Sequence, residues 1–210
     1  GEDALWDRSE AALLAALKAR DQPFTVNEGD GAFYGPKIDF LVRDALKREH
    51  QIGTIQLDYV LPERFGLKYI DADNGEKRPV MIHRAMLGSL ERFIGLLIEH
   101  CAGAFPLWLA PEQVRILPIT DRTMEYAEGL RQRLASAGLR VKVDRRNEKI
   151  GAKIREAQLE KVPFMLVVGD KEAESGSITV RSRTDGDLGT FTLEEFIETT
   201  AQAVNERRST

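Results

Sequence analysis

The segment PVMIHRAMLGSLERFIGLL, residues 79 to 97, carries ionisable side chains within an otherwise apolar stretch. It contains His83, Arg84, Glu91 and Arg92, and each of these groups is costly to bury without a partner. We interpret Arg84 and Glu91 as residues of a solvated edge. His83 has no H-x-x-x-H or C-x-x-C partner nearby, so the pattern by itself favours a structural histidine over a metal ligand.

Arg92 follows Ser89 by about one helical turn and has three possible roles. Its guanidinium could stack on a base, bind a phosphate, or form an ion pair with Glu99 or Asp39. The spacing does not decide between them.

A second set of polar residues lies on two adjacent extended segments. GTIQLDYVLP alternates strictly, which predicts an antiparallel strand with Thr54, Gln56 and Asp58 on its polar face. That face either meets water or recognises a small molecule through short hydrogen-bonding side chains. The preceding segment adds three more polar residues, namely Tyr34, Lys37 and Asp39. Its turn, GDGAFYGPK, has neither glycine-rich phosphate-binding pattern, although Lys37 could meet a phosphate as a point charge.

The second half of the chain offers an amide, a carboxylate and a guanidinium near predicted strand and helix ends: Asn147, Glu172 and Arg181. Residues 140 to 161 also hold eight Lys and Arg against four acids. These groups suit the recognition of unstacked bases by their edges, with the cations on phosphates. Helix capping by Asn147 and a solvated basic helix face are the alternatives.

The elements that would position these residues differ between the two halves. The first half predicts an amphipathic helix, at least three strands, and a helix from Leu87 to Cys101 that would pack Cys101 into a core. The segment GAFPLWLAPEQ has two prolines and no clear period, which suits a linker. Strands and helices alternate after it, with Asp121 as a plausible N-cap and Gly138 as a helix stop, so the second half predicts an α/β domain with a mostly parallel or mixed sheet.

The composition is that of a soluble globular protein. The chain has 210 residues, 42% hydrophobic content, a net charge of −4 and one cysteine. These values exclude a broadly basic nucleic-acid coat and an internal disulfide. No long uncharged apolar run or secretory signal is present, so we expect no membrane association and a cytoplasmic location.

Six segments, in this order and separation, resemble the threonyl-tRNA synthetase family: GAFYGPKIDF, GTIQLDY, PVMIHRAMLGSLERFIG, FPLWLAPEQV, RNEKIGAKIRE and VPFMLVVGDKE. The resemblance covers nearly the whole chain. It implies that residues 1 to 107 are the last part of a class II synthetase catalytic domain with an antiparallel sheet. Residues 108 to 210 would be an α/β anticodon-binding domain with a mixed sheet flanked by helices.

The resemblance also implies a role for each candidate residue. HRAMLGSLER looks like class II motif 3, in which Arg92 lies against the adenine and phosphates of ATP and Ser89 lines the nucleotide pocket. His83 matches one of three ligands to a zinc ion that binds the amino group and hydroxyl of threonine. Lys37 matches a position near the phosphates. Tyr34, Gln51, Thr54 and Gln56 match residues that line the threonine and ATP pocket, and Asn147, Glu172 and Arg181 match residues that read the anticodon.

The chain also departs from the family pattern. It starts after motif 1, which builds the dimer interface, and after motif 2, and it lacks the cysteine and histidine that complete the zinc site. The expected function is therefore that of a fragment of a threonine–tRNA ligase. The parent would use ATP with Mg²⁺, threonine and tRNA-Thr as a homodimer, and the fragment would be inactive alone but able to bind the anticodon. The alternative is a free-standing, non-catalytic synthetase-like module that binds RNA.

Overall fold

The computed structural model describes residues 3 to 207, which form two compact units. Unit 1 comprises Gly1–His100 and unit 2 comprises Cys101–Thr210. Within residues 3 to 207, none of the helices combines the length and the apolar character needed to cross a lipid bilayer.

Unit 1 is built on a small antiparallel sheet. Its elements are α1 (Asp3–Ala19), β1 (Lys37–Arg43), β2 (Glu49–Asp58), α2 (Val60–Arg64), β3 (Tyr69–Ile70), β4 (Glu76–Lys77), β5 (Met81–Ala85) and α3 (Leu90–His100). The sheet has the order β1-β2-β5, with a register shift between Phe40 and Leu41 on β1. The predicted antiparallel alternation is therefore confirmed.

Strand β2 ends at Asp58, whereas the alternating pattern of GTIQLDYVLP continues to Tyr59. Tyr59 follows the strand, and α2 begins at Val60. Asp58 causes this change because its Oδ1 atom accepts hydrogen bonds from the backbone N–H groups of Val60 and Leu61, at 2.9 and 3.0 Å. A side chain that takes up the first free N–H groups of a helix favours a helix start at that point.

Helix α3 begins three residues later than the sequence suggested. Leu87 and Gly88 have positive φ angles of 66° and 60°, which a right-handed helix does not allow. Ser89 then accepts a hydrogen bond from the backbone N–H of Arg92 at 3.3 Å and so precedes the first helical residue as a cap.

The segment 79 to 97 is largely apolar, but none of its residues is buried. No residue of α3 is buried. Its apolar stripe is half open, with Leu90, Ile94 and Ile98 being 60%, 50% and 45% exposed. Cys101 lies just beyond the helix and is only partly buried, so its predicted place in a core is wrong.

Unit 2 is an α/β layer structure with a five-stranded mixed sheet. Its elements are β6 (Val114–Pro118), a 3₁₀ turn (Asp121–Thr123), α4 (Met124–Ser136), β7 (Val141–Val143), α5 (Ile150–Leu159), β8 (Phe164–Val168), α6 (Asp170–Ser175), β9 (Ser177–Ser182), β10 (Gly186–Thr192) and α7 (Leu193–Asn205). The order is β10-β9-β8-β6-β7. Strands β7, β6 and β8 are parallel to one another. Strand β9 runs antiparallel to β8, and β10 runs antiparallel to β9. This arrangement confirms the predicted mixed sheet.

Both faces of this sheet are covered. One core contains fully buried side chains from β6, β8 and β9 together with residues of α4 and α7, among them Ile116, Leu134, Leu166, Val180 and Phe196. The other core is smaller and packs Leu117 and Met165 against Ala157 of α5. The alternation of strand side chains between the two faces thus fixes which residues α5 can contact.

Three local features of unit 2 differ from or add to the sequence-based expectations. Asp121 does not cap α4, because it opens the 3₁₀ turn that precedes the helix. Gly138 follows the last turn of α4 with a φ of +86°, as expected of a helix stop. Helix α6 was not predicted, since six residues are too few to show a helical period.

Candidate functional site

The first candidate site is a row of polar side chains on one face of the unit 1 sheet. Gln56 pairs across the sheet with Lys37 on one side and with His83 on the other. Thr54 pairs with Asp39 in the next row. The polar residues predicted on separate strands therefore share one face, and they are partly or fully buried rather than open to water. The Thr54 Oγ1 atom is buried and has no hydrogen-bond partner within residues 3 to 207.

The turn that carries Tyr34 is fixed directly against β2. Its Gly35 lies so close to the strand that a Cβ atom there would come within 2.0 Å of the backbone oxygen of Leu57. Tyr34 donates its hydroxyl hydrogen to Gln56 Oε1 at 2.5 Å. Its ring also meets the His83 ring edge-on, with centroids 5.7 Å apart. A glycine at position 35 is thus needed to bring Tyr34 over the polar row.

Asp39 joins the cation of this site to Gln51. The Lys37 ammonium lies 2.7 Å from Asp39 Oδ2 and 3.6 Å from Asp30, and Gln51 donates to Asp39 Oδ1 at 2.7 Å. The hydrogen bond to Asp39, supported by the negative charges of both aspartates, raises the pKa of Lys37 above its ordinary value. Lys37 is therefore protonated at neutral pH, and Asp39 holds its ammonium group in place.

His83 forms a close pair with Asp58. The His83 Nε2 atom lies 2.8 Å from Asp58 Oδ2, and the Asp58 side chain is 0% exposed whereas that of His83 is 37% exposed. Burial of Asp58 favours its neutral form, but the hydrogen bonds from His83, Leu61 and Val60 outweigh this effect and lower the pKa of Asp58. Sequence reasoning placed Asp58 on the polar face but missed this pair.

The geometry fits one ligand position of a zinc site and no more. An imidazole whose first nitrogen meets a carboxylate is a common arrangement for a zinc ligand. A zinc site, however, takes at least three protein ligands. Within the described residues 3 to 207, no group of three or more His, Cys, Asp or Glu side chains could hold a metal ion.

Arg92 takes none of the ion-pair roles that its spacing left open. Its Nη2 atom donates to the backbone oxygen of Gln51 at 2.5 Å. Glu99 instead pairs with Arg48, and Asp39 pairs with Lys37. Arg92 is exposed and is joined to Gln51 by this bond, and most of its guanidinium donors form no hydrogen bond with other residues of the range 3 to 207. Ser89 is exposed beside it and donates to Glu91 Oε2 at 2.7 Å; Arg84 and Glu91 are exposed as expected.

The second candidate site lies in unit 2, on the sheet face that α5 covers. Thr179 and Arg181 alternate with the buried Ile178 and Val180 on β9, so both project from this face. Glu172 of α6 accepts hydrogen bonds from the hydroxyl of Thr179 at 3.1 Å and the N–H of Gly169 at 2.8 Å. Glu172 bonds to Thr179, and Thr179 shares its sheet face with Arg181, so Glu172 and Arg181 belong to one surface.

The charges of this surface are set by neighbouring groups. Partial burial favours a neutral Glu172, but its hydrogen bonds from Gly169 and Thr179 prevail and lower the pKa of its carboxyl. Arg181 donates to Asp187 Oδ2 at 2.9 Å. Its Nε atom is buried and has no hydrogen-bond partner within the described part of the chain. Glu172 on α6 is therefore an anion, and Arg181 on β9 is a cation whose hydrogen-bond donors are only partly used.

Asn147 lies in the segment between β7 and α5 and is exposed. The capping alternative is wrong, because Lys149 occupies the N-cap position of α5 and Ile150 starts the helix. Asn147 follows the end of β7 and Glu172 follows the end of β8. Since both strands run parallel to β6, the two residues lie at the same edge of the sheet.

Lys153 is a buried group that sequence reasoning did not single out. It is 4% exposed, and its Nζ donates to the backbone oxygens of Pro118 at 3.0 Å and Asp144 at 3.2 Å. These oxygens lie at the end of β6 and directly after β7, so Lys153 ties the segment that carries Asn147 to the sheet. Its position in the helix period, three residues after Ile150, was the available signal.

The basic run from residue 140 to 161 is mostly engaged within the chain. Six of its eight cations already have protein partners: Arg140, Lys142, Arg145, Arg146, Lys153 and Lys161. Lys149 and Arg155 are exposed and form no ion pair with other residues of the described range. These two side chains are therefore the ones free to meet an anion without exchanging a partner.

Two family models match the chain, one on each unit. Residues 7 to 101 match the tRNA synthetase class II core domain (G, H, P, S and T), and residues 113 to 202 match the anticodon binding domain. With the antiparallel polar row of unit 1 and the mixed sheet of unit 2, these matches define the class: the chain combines part of a class II aminoacyl-tRNA synthetase core with an anticodon-binding domain.

Curated relatives and a solved structure narrow the class further. The chain is 56% identical over 207 residues to a threonine–tRNA ligase of Syntrophomonas wolfei and 57% identical over 198 residues to that of Caldanaerobacter subterraneus, covering 99% and 94% of this chain. The crystal structure of the RNA binding domain of threonyl-tRNA synthetase from Cryptosporidium parvum superposes with a TM-score of 0.89 at 43% identity, over 96% of this chain and 51% of that one.

The chain belongs to the threonyl-tRNA synthetase family and corresponds to its C-terminal region. It spans about a third of the length of these curated relatives, 33% and 31%.

Proposed function

We propose that the protein to which this chain belongs is a threonine–tRNA ligase. It would join threonine to ATP, with Mg²⁺ on the phosphates, and pass the threonyl group to tRNA-Thr. The observation that carries the proposal is that one chain, more than half identical to threonine–tRNA ligases, holds both a partly buried polar row in unit 1 and a charged surface in unit 2. A homodimer and a cytoplasmic location are part of the same proposal.

In the activation step, the threonine carboxylate would attack the α-phosphorus of ATP, forming threonyl-adenylate and releasing pyrophosphate. The protein's task in such chemistry is mainly to position the reactants and neutralise charge. Lys37 is suited to a phosphate because it is held as a cation, and Arg92 because most of its donors are open. Tyr34, Gln51, Thr54, Gln56 and Ser89 would line the threonine and nucleotide pocket around them.

We further propose that His83 is one ligand of a zinc ion completed by residues elsewhere in the longer protein. When bound, the ion would supply coordination of the threonine amino and hydroxyl groups, which valine cannot match. His83 and Asp58 are what this chain contributes. The isolated chain should therefore bind zinc weakly, and stoichiometric, tight zinc in the purified chain would contradict the proposal.

In unit 2, we propose that Asn147, Glu172 and Arg181 read the anticodon bases. An amide, a carboxylate and a guanidinium recognise the edges of unstacked bases by directed hydrogen bonds. Glu172 and Arg181 lie on one sheet face, and Asn147 follows the carboxyl end of β7 as Glu172 follows that of β8. Lys149 and Arg155 would meet phosphates, because neither is taken up by an ion pair within the described residues.

The alternative, a non-catalytic RNA-binding module, predicts that the unit 1 row has no ligand to bind. Two observations speak against it: the row is partly buried, and the Thr54 hydroxyl is left without a partner within residues 3 to 207. Buried polar groups without partners are rare and call for a reason. The length of the native gene product separates the two readings, since a free-standing module would be about as long as this chain.

The location of RNA binding can be tested with variants matched in charge. Arg181→Ala should weaken binding of a threonine anticodon stem-loop by about 1 to 3 kcal/mol, which is roughly 5-fold to 150-fold. Arg133→Ala removes the same charge from α4, where Arg133 pairs with Glu194 of α7 on the opposite face of the sheet. It should change binding little. Equal losses in both variants would show only a general charge effect, and the proposed location would be wrong.

A further inference from the structure

Ile119 is an apolar residue at the point where the parallel strands of unit 2 end. It follows β6, and its backbone N–H donates to the oxygen of Val168, the last residue of β8, at 2.9 Å. Ile119 is 45% exposed. A single exposed isoleucine is ordinary on a protein surface, so its exposure alone assigns it no role. Its role follows from the residues beside it.

Gly169, the residue after β8, brings Ile119 and Glu172 close together. A Cβ atom at position 169 would lie 2.9 Å from Ile119 Cδ1 and 3.1 Å from Glu172 Oε2. Both atoms therefore border the space that a side chain at position 169 would fill. Because glycine leaves this space empty, the apolar end of Ile119 and the carboxylate of Glu172 meet at one small gap in the surface.

The strand register places Ile119 on the same sheet face as the proposed base-reading residues. Leu117 pairs with Val167, and Val167 pairs with Thr179. Side chains two residues apart on an extended segment lie on the same side. Ile119 therefore continues the face of Leu117 and Thr179, which is also the face of Arg181.

An unstacked base is held on a protein by two kinds of contact, one with its flat face and one with the hydrogen-bonding groups of its edge. Glu172 is suited to the edge. Its oxygens accept one hydrogen bond each, from the Gly169 N–H and the Thr179 hydroxyl, and a carboxylate has about four lone-pair sites. Acceptor sites therefore remain for a base. Ile119 offers the apolar surface that the flat face requires and a carboxylate lacks.

We propose that Ile119 is the stacking contact for the anticodon base whose edge Glu172 reads. One face of the base lies on the Ile119 side chain, over the gap at Gly169, and its N–H groups reach the Glu172 carboxylate. Contact with a base face depends little on which base is present. Ile119 therefore adds affinity, whereas Glu172 adds discrimination between bases. This inference rests on the proposed function of unit 2 and extends it by one residue.

The first test observes the Cδ1 methyl group of Ile119 in the wild-type chain, labelled with ¹³C. The threonine anticodon stem-loop should shift this methyl resonance upfield, because a group over the face of an aromatic base lies in its shielding region. Ile178, which is fully buried on the opposite sheet face, should not shift in this way. Binding of the stem-loop without an upfield shift at Ile119 would overturn the inference. A chain that binds no stem-loop would contradict the proposed function itself, and the inference would fall with it.

The second test compares two stem-loops, one with the threonine anticodon and one with its G and U exchanged. Ile119→Ala should weaken binding of both by a similar factor, about 3-fold to 10-fold. The ratio of the two dissociation constants should stay at the wild-type value, unlike in Glu172→Gln. Ile70→Ala is the matched control, because Ile70 is 63% exposed on β3 of unit 1, and it should leave both constants unchanged. Unchanged binding in Ile119→Ala, or an equal loss in Ile70→Ala, would overturn the inference.

Stem-loops that each lack one of the three anticodon bases separate a contact from a structural effect. In the stem-loop without the base that lies on Ile119, Ile119→Ala should cause no further loss of affinity, because both changes remove the same contact. In the other two, the loss should be the same as in the intact stem-loop. An equal loss in all three would show that Ile119 supports the fold of the surface and touches no base, and the inference would be wrong.

Discussion

Lys153→Met tests how the unit 2 surface that we propose to bind the anticodon is held in place. The substitution keeps the length of the side chain and removes an ammonium group that is 4% exposed. It leaves the backbone oxygens of Pro118 and Asp144 without the donor that now reaches both, at 3.0 and 3.2 Å. The end of β6 and the segment after β7 would then lose their common anchor.

The expected loss follows from these two bonds. A hydrogen bond to a charged group contributes about 1.5 to 3 kcal/mol. The lower end applies here, because removing a buried ammonium also removes the free-energy cost of its desolvation. Two bonds then give a loss of about 3 kcal/mol in the free energy of unfolding of unit 2.

The assay is urea unfolding followed by the fluorescence of Trp108, which lies in unit 2, in a Trp6→Phe background. Lys149→Met is the matched control because Lys149 is exposed at the N-cap of the same helix, and it should change stability by less than about 0.5 kcal/mol. A Lys153→Met variant as stable as the wild type would refute the anchoring role.

Three further predictions follow from the two sites. Gly35→Ala places a Cβ atom 2.0 Å from the Leu57 oxygen, so unit 1 should lose about 1 to 3 kcal/mol in urea unfolding read by Trp6 fluorescence. Gly75→Ala, which meets no atom within 4 Å, should lose much less; equal losses would show that close approach is not the cause. The hydrogen bond from Arg146 lowers the pKa of Asp144 below its ordinary value of 3.8. Its stabilising contribution is therefore complete above that value and lost as the pH falls through the lower folded-state pKa. Urea unfolding of unit 2 in acid should show a shallower pH dependence for Asp144→Asn, and identical slopes would contradict this. Glu172→Gln should reduce the preference for the threonine anticodon by about 1 kcal/mol or more, measured by competition between two stem-loops; an unchanged preference would exclude Glu172 from base recognition.

The sequence predicts the longer strands of both units, because these segments show either alternation or a short apolar run. The alternation around Gln56 places Thr54 and Asp58 on one face, and the short apolar runs of β6 and β8 mark buried parallel strands. The mixed sheet of unit 2 could be predicted for the same reason. The register that brings Lys37, Gln56 and His83 into one row is a result of the structure and was not predicted.

Contacts that depend on three-dimensional pairing could not be predicted. The bond from Arg92 to the Gln51 backbone oxygen involves no complementary charge that a sequence could show. Two cations of residues 140 to 161, Lys142 and Arg145, pair with acids outside that run, namely Glu112 and Glu128. Leu87 at positive φ delays α3 although leucine favours helices.

The most direct test of the account is the ratio of two dissociation constants for this chain. One RNA is an anticodon stem-loop that ends its anticodon with the threonine bases G and U, and the other has these two bases exchanged. Both are measured at about 0.15 M salt, because phosphate contacts depend strongly on ionic strength. We predict tighter binding of the G-U stem-loop by about 10-fold or more. A ratio near one, with unit 2 shown to be folded, would contradict the claim that this chain reads the threonine anticodon.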